Sequence, residues 1–89
     1  MVKQDRPYTE QSLEEGRIRI FSPDTGSSEL KWHWDERDRS VELLEPTDWL
    51  LQMDNELPKK IPSFFEIPAG VWHRVIKGEK ILKIRIVEK

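Results

Sequence analysis

The sequence predicts an all-β domain of short antiparallel strands. Three observations support this prediction: apolar residues alternate with polar ones or form short runs, a turn signal separates each run from the next, and no long helical pattern is present. The seven predicted strands cover residues 17–21, 29–35, 40–45, 49–54, 64–67, 71–76 and 81–87. Strands of this number and spacing are typical of an antiparallel sandwich or barrel.

The N-terminal segment, residues 1–15, is predicted to be a loose arm followed by a short helical turn, and residues 16–89 to form the β domain. Thr9 can cap the first turn of a helix, acidic residues follow it, and Gly16 can end the helix. Residues 17–20 then alternate strictly between arginine and isoleucine before Phe21, which indicates a half-buried strand at 17–21.

Residues that favour turns separate the middle strands from one another. Residues 22–28, Ser-Pro-Asp-Thr-Gly-Ser-Ser, form a turn cluster, and residues 35–39 form a charged bend. Residues 46–48 close the strand at 40–45, and residues 55–60 turn the chain after the strand at 49–54. In the strand at 29–35 the side chains alternate between two faces, with Leu30, Trp32 and Trp34 on one and Lys31, His33 and Asp35 on the other.

The last three strands are joined by two tight turns. Pro68 fixes its own φ and Gly70 permits a positive φ, so the segment between residues 64–67 and 71–76 predicts a rigid turn. Residues 77–80 predict a hairpin turn before the alternating strand at 81–87.

Composition excludes several classes of protein. The 89 residues suffice for one domain, and 15 basic against 17 acidic residues lack the basic excess of a nucleic-acid-binding surface. No apolar run is long enough to span a membrane, and the N-terminus lacks the apolar core of a signal peptide. The chain has no cysteine, so disulfides and thiolate zinc sites are excluded and a cytoplasmic location is expected.

A metal site is predicted from two histidines and one carboxylate. His73 follows the Pro68–Gly70 turn, and His33 and Asp35 lie two residues apart, so that on a strand they share a face. Two histidines with one carboxylate form the ligand set of non-haem iron sites. The alternative is a metal-free pair of interior histidines, with Asp35 in a salt bridge to Arg37 or Arg39.

These residues resemble the motifs of small single-domain cupins, which are double-stranded β-helix (jelly-roll) barrels. The segment Pro68-Ala69-Gly70-Val71-Trp72-His73 matches the second cupin motif, with Lys77 where asparagine is usual. In the first motif His33 matches the first histidine, Asp35 replaces the second, Arg39 replaces the glutamate and Pro46 the glycine. The similarity runs from about residue 30 to residue 86. A guanidinium cannot ligate a metal, so Arg39 points instead to an anionic ligand.

The resemblance implies a barrel with a pocket for a small molecule, and it leaves three functions open. The first is a small polar ligand bound through a divalent Fe, Mn, Ni or Zn ion held by His33, Asp35 and His73, with the metal as Lewis acid. The second is a non-catalytic, metal-free module that binds an anion or a sugar through Arg39 and the histidines. The third is a 2-oxoglutarate-dependent oxygenase in which Arg85 holds the co-substrate; the short, helix-free chain argues against it. Catalysis and catalytic residues stay open.

The tryptophans near the two histidines predict packing or assembly. Trp32 and Trp34 lie opposite His33 by strand parity, and Trp72 lies opposite His73, so these rings are expected between the sheets or at a subunit contact. The surplus of apolar and aromatic strand faces in so small a chain, together with the resemblance, predicts a homodimer.

Overall fold

The computed structural model describes residues 8–25 and 30–89, which form eight strands in two antiparallel sheets. The strands are β1 (Tyr8–Ser12), β2 (Arg17–Phe21), β3 (Arg39–Leu43), β4 (Leu50–Met53), β5 (Lys59–Lys60), β6 (Phe64–Ile67), β7 (His73–Ile76) and β8 (Leu82–Glu88). The larger sheet has the order β1-β2-β8-β3-β6 and the smaller the order β5-β4-β7. The chain changes sheet at four of its seven connections, those after β3, β5, β6 and β7. The predicted all-β class is confirmed.

The hydrophobic core lies between the two sheets. In β8, Leu82, Ile84 and Ile86 are buried and alternate with the half-buried Lys83, Arg85 and Val87. Trp49, which lies just before β4, is 1% exposed and packs on Phe21 with ring centroids 5.6 Å apart. The other core residues are Val41, Leu51, Ile61 and Ile67.

Strand β2 presents its arginines to the interior. Because directly paired residues share a face of the sheet, the register of Arg19 with Ile84 and of Phe21 with Leu82 turns Arg19 inward. Ile18 and Ile20 consequently lie on the outer face of the larger sheet. Alternation alone had indicated that this strand has two different faces without indicating which of them is inside.

The predicted N-terminal helical turn is wrong: residues 9–16 form β1 and the turn of a hairpin. Tyr8–Ser12 pairs antiparallel with β2, from Tyr8 opposite Phe21 to Ser12 opposite Arg17. Gly16 has a φ of 91° and its carbonyl accepts a hydrogen bond from the Leu13 backbone amide at 2.9 Å. A glycine with positive φ can end a helix, but Gly16 closes a hairpin instead. Pairing of β1 with β2 outweighs the weak helix propensity of residues 9–15. Residues 1–7 of the predicted arm lie outside the described residues.

The predicted strands agree with the structure except in one region. Residues 17–21 and 64–67 match β2 and β6, and four other strands differ by one or two residues at their ends. The strand predicted at 29–35 is not formed over its described residues, 30–35. The pairing found there is a single bridge between His33 and His73. Residues 59–60, expected in a turn, form the short β5. Within residues 8–25 and 30–89, no helix has the length and apolarity needed to cross a membrane.

Candidate metal and ligand site

His33 and His73 form a backbone bridge that places their imidazoles together. The His33 amide donates to the His73 carbonyl at 3.0 Å, and the His73 amide donates to the His33 carbonyl at 2.9 Å. In an antiparallel pair that exchanges both bonds, the two side chains leave the same face. The ring centroids are accordingly 4.3 Å apart, with the rings edge to face.

Both imidazoles are oriented by a backbone carbonyl two residues earlier. Nδ1 of His73 lies 2.8 Å from the carbonyl of Val71, and Nδ1 of His33 lies 3.0 Å from the carbonyl of Lys31. A carbonyl only accepts hydrogen bonds, so in each ring Nδ1 carries the proton and donates it. In a neutral ring, this hydrogen bond selects the tautomer in which Nε2 holds a free lone pair, the form of histidine that ligates metals.

Asp35 completes the cluster. Its Oδ2 lies 3.4 Å from Nε2 of His73, and its Oδ1 lies 3.3 Å from Nη2 of Arg39. Although Oδ2 is buried, it has no hydrogen-bond partner among the described residues. The backbone carbonyl of Asp35 accepts a hydrogen bond from the Gly70 amide at 2.8 Å, so the turn before His73 also holds the Asp35 segment.

Burial favours the neutral form of His73. The residue is 4% exposed, and this desolvation lowers the pKa of His73 below its usual value; the neighbouring His33 and Arg39 act in the same direction. The hydrogen bond to the Val71 carbonyl and the charge of Asp35 oppose the shift. A neutral imidazole lone pair therefore faces an unpartnered carboxylate oxygen, an arrangement that a cation between them would stabilise.

The three donors have the chemistry of a divalent-metal site, and one pair of them has the separation that such a site needs. One ligand atom from each of His33, Asp35 and His73 lies within 4.8 Å of the others. Two atoms that each lie about 2.1 Å from a metal are about 3.0–3.4 Å apart at octahedral or tetrahedral angles. The 3.4 Å between Nε2 of His73 and Oδ2 of Asp35 falls at that separation. The chemistry of the three donors thus fits a divalent ion.

The cluster opens onto a cavity of about 430 Å³ between the sheets. Most of its wall is apolar, and its polar lining consists of Tyr8, Arg19, Lys31, His33, Asp35, Arg39 and His73. All three candidate metal ligands and Arg39 therefore line one cavity. Sequence reasoning missed Arg19; the signal available in residues 17–21 is Phe21, which shares the strand face of the two arginines.

Arg85 does not line this cavity. It alternates with the buried Ile84 and Ile86 on β8, so its side chain lies on the outer face of the larger sheet, with Nη1 4.0 Å from Oε1 of Glu42. The structure thus separates Arg85 from the two histidines and gives no support to a role in holding a co-substrate beside them.

A chain of ion pairs leads away from the site along the inner face. Glu88 bridges two arginines, with Oε1 2.8 Å from Nη2 of Arg17 and Oε2 3.7 Å from Nη2 of Arg39. Glu10 in turn approaches Nε of Arg17 at 3.4 Å and accepts a 2.6 Å hydrogen bond from Nε of Arg19. These carboxylates fix the arginines in place. The hydrogen bond from the Arg17 side chain lowers the pKa of Glu88.

Comparison with solved structures identifies the fold. A crystal structure of a cupin domain from Bordetella pertussis has a TM-score of 0.61 and 23% identity, over 98% of this chain and 99% of that one. The chain has a small cupin-like fold. A protein from Neisseria meningitidis is also similar to this cupin-like chain, with a TM-score of 0.59 and 15% identity over 98% of this chain and 87% of that one. At these identities the likeness concerns the fold alone. No protein-family model and no curated protein sequence matches the chain.

The tryptophans around the cupin-like site lie on its outer side. Trp32, Trp34 and Trp72 are 38%, 48% and 46% exposed, so the prediction that they pack between the sheets is wrong. They flank the His33–His73 bridge, and neighbours of a bridged residue point to the opposite face. Arg74 lies over the ring of Trp32, 4.9 Å from its centroid. A subunit contact through these rings stays a prediction.

Proposed function

We propose that this cupin-like protein binds a small molecule in its cavity through a divalent metal ion held by His33, Asp35 and His73. The observation that carries the proposal is the unpartnered Oδ2 of Asp35, buried and facing a neutral His73. A buried carboxylate oxygen without a partner is costly, and a bound cation would remove that cost.

The chain's own residues prepare such a site. The Val71 and Lys31 carbonyls hold the imidazoles in the ligating tautomer, and the His33–His73 bridge fixes their separation. The apolar wall of the cavity excludes water from one side of the cluster. A bound ion would act as a Lewis acid toward an oxygen of the ligand. We assign no reaction and no catalytic residue.

Elemental analysis tests this proposal. The purified protein is stripped with chelator, incubated separately with Fe²⁺, Mn²⁺, Ni²⁺ and Zn²⁺, and desalted. We expect about one ion per chain for at least one metal, and less than about 0.1 in the His73→Ala variant. Arg85→Gln, which alters an outward-facing residue, is the matched control and should retain the metal. Less than about 0.1 ion per wild-type chain with all four metals would refute the metal site.

One contact favours a second function, a metal-free binding module. Nη2 of Arg39 lies 3.3 Å from Oδ1 of Asp35, so the guanidinium already supplies a positive charge to this carboxylate. In that case ligand binding would raise the Tm equally with and without chelator. A rise in Tm that disappears on adding chelator would contradict the metal-free function.

A further inference from the structure

We propose that the ligand of the cavity is a carboxylic acid with an apolar body, whose carboxylate is bound by Arg39 and Arg19. This inference rests on the proposed small-molecule role of the cavity, but it does not require the metal. It names the chemical class of the ligand from the two kinds of surface that meet in the cavity: an apolar wall and a cluster of cationic groups.

The apolar wall argues against a sugar and for a hydrophobic body. The residues that form it come from both sheets: Phe21, Leu30, Val41, Leu51, Phe65, Ile67, Val75, Ile84 and Ile86. A sugar placed against them would lose hydrogen bonds from its hydroxyl groups to water without replacement. An aromatic or aliphatic group gains from burial there, and a volume of about 430 Å³ lies within the usual range for small-molecule pockets.

The charged groups of the lining favour an anion. Three cations, Arg19, Lys31 and Arg39, line the cavity with one carboxylate, Asp35. The acids that hold the arginines, Glu10 and Glu88, do not belong to the lining. They anchor the guanidinium groups while leaving the cavity itself with an excess of positive groups.

Arg39 has a hydrogen-bond donor to spare. Its Nη2 lies near both Asp35 and Glu88, at 3.3 Å and 3.7 Å, whereas its Nε is buried and has no acceptor among the described residues. A guanidinium presents several N–H groups in a planar fork that matches the two oxygens of a carboxylate. Arg39 lines the cavity, so a ligand carboxylate there would meet its guanidinium, and a shift of the side chain would let the buried Nε share in the binding.

Arg19 offers a second, similarly fixed cation. Its Nε donates to Oε2 of Glu10 at 2.6 Å, and its guanidinium carbon lies 4.2 Å from the centroid of the Tyr8 ring. A side chain held by an ion pair and an aromatic ring loses little conformational freedom when it binds an anion. The inward register of β2, which sequence alternation left undetermined, is what brings this arginine to the cavity.

Three small probes separate the contributions of charge and apolar body. Benzoate has both, benzamide keeps the ring without the charge, and acetate keeps the charge without the ring. We expect calorimetry on the wild-type protein to show benzoate binding at least about ten-fold tighter than either of the others. Benzamide or acetate binding as tightly as benzoate, or no benzoate binding at all, would overturn the inference without recourse to any variant.

Substitutions of the two arginines then test where the carboxylate of benzoate binds. Arg39→Gln should weaken benzoate binding at least about ten-fold and Arg19→Gln by a smaller factor, while Arg39→Lys should keep part of the affinity. Arg85→Gln is the control and should bind benzoate as the wild type does. An Arg39→Gln variant that folds, as judged by its circular dichroism, and keeps wild-type benzoate affinity would contradict the assignment of Arg39.

The same titration in chelator and in metal-loaded protein distinguishes this inference from the proposed metal site. Benzoate binding to a protein that takes up less than about 0.1 ion per chain from each of the four metals would refute the metal site and support the carboxylate inference. About one metal per chain without benzoate binding would support the metal site and refute the inference.

Discussion

His33 and His73 exchange both of their backbone hydrogen bonds, at 3.0 Å and 2.9 Å, and this single bridge brings the two histidines of the chain together. Residues 30–35 otherwise form no strand, so the candidate site depends on this bridge and on the hydrogen bond from the Gly70 amide to the Asp35 carbonyl rather than on a long ladder. The bridge fixes the spacing of the imidazoles independently of any metal. Several consequences of this arrangement can be measured.

The two histidines should differ in their contribution to stability. His73 is buried and its Nδ1 bonds to the Val71 carbonyl, whereas His33 is exposed. We expect His73→Ala to reduce the free energy of unfolding by about 1–3 kcal/mol, and His33→Ala by less than about 0.5 kcal/mol. Urea denaturation in the presence of chelator measures both, and equal losses would contradict the difference in burial.

Arg39 should oppose metal binding. Its positive charge lies beside Asp35, and a singly and a doubly charged cation about 5 Å apart repel each other by roughly 1.5 kcal/mol even in a water-like medium. We therefore expect Arg39→Met to raise the affinity for divalent metal roughly ten-fold, measured by competition with a chromophoric chelator, and Arg85→Met to leave it unchanged. A lower affinity in Arg39→Met would mean that Arg39 is needed to orient Asp35.

Two glycines with positive φ provide a matched pair. At Gly16, with a φ of 91°, a Cβ would collide with the Ile86 carbonyl oxygen; at Gly70, with a φ of 78°, nothing lies within 4 Å of it. We expect Gly70→Ala to cost about 1 kcal/mol for backbone strain alone, and Gly16→Ala to cost more than about 2 kcal/mol. Thermal unfolding of the two variants compares them, and similar Tm values would show that the hairpin turn can shift away from β8.

Acid should weaken the turn between β7 and β8. Backbone hydrogen bonds from Glu79 at 2.8 Å and Lys80 at 3.0 Å lower the pKa of the Asp48 carboxyl. Because the folded-state pKa is below the unfolded value of about 3.9, this stabilisation is present above pH 4 and is lost as the pH falls through the folded-state pKa.

The variant Asp48→Asn tests this dependence. Its stability deficit relative to the wild type should be largest near neutral pH and should shrink as the pH falls below about 4. Asp54→Asn, a change at another exposed aspartate in a turn, is the control for loss of charge. A deficit in Asp48→Asn that stays constant from pH 6 to pH 3 would contradict a stabilising carboxylate.

The homodimer inferred from the sequence stays a prediction. Large apolar side chains are exposed on two different surfaces, Phe64 at 58% on the larger sheet and Trp34 at 48% and Trp72 at 46% beside the site. Sedimentation at micromolar concentration should give twice the chain mass of 10.6 kDa. A mass of one chain at that concentration would contradict the predicted homodimer.

Several features of the chain followed from the sequence because they depend on neighbouring residues only. Turn residues such as Pro68 and Gly70 mark where strands end, so most strand positions could be predicted. The spacing of His33 and Asp35, together with the turn before His73, was enough to nominate three side chains that the structure indeed places together.

Only the tertiary structure decided which face of β2 is inside, and with it the presence of Arg19 in the cavity. An alternating arginine–isoleucine strand has two distinct faces, and either can be buried when a neighbouring strand supplies carboxylates. The register of β2 on β8 and the ion pairs to Glu10 and Glu88 made that choice. The hairpin of β1 arose in the same way, since strand pairing joins residues that local sequence cannot relate.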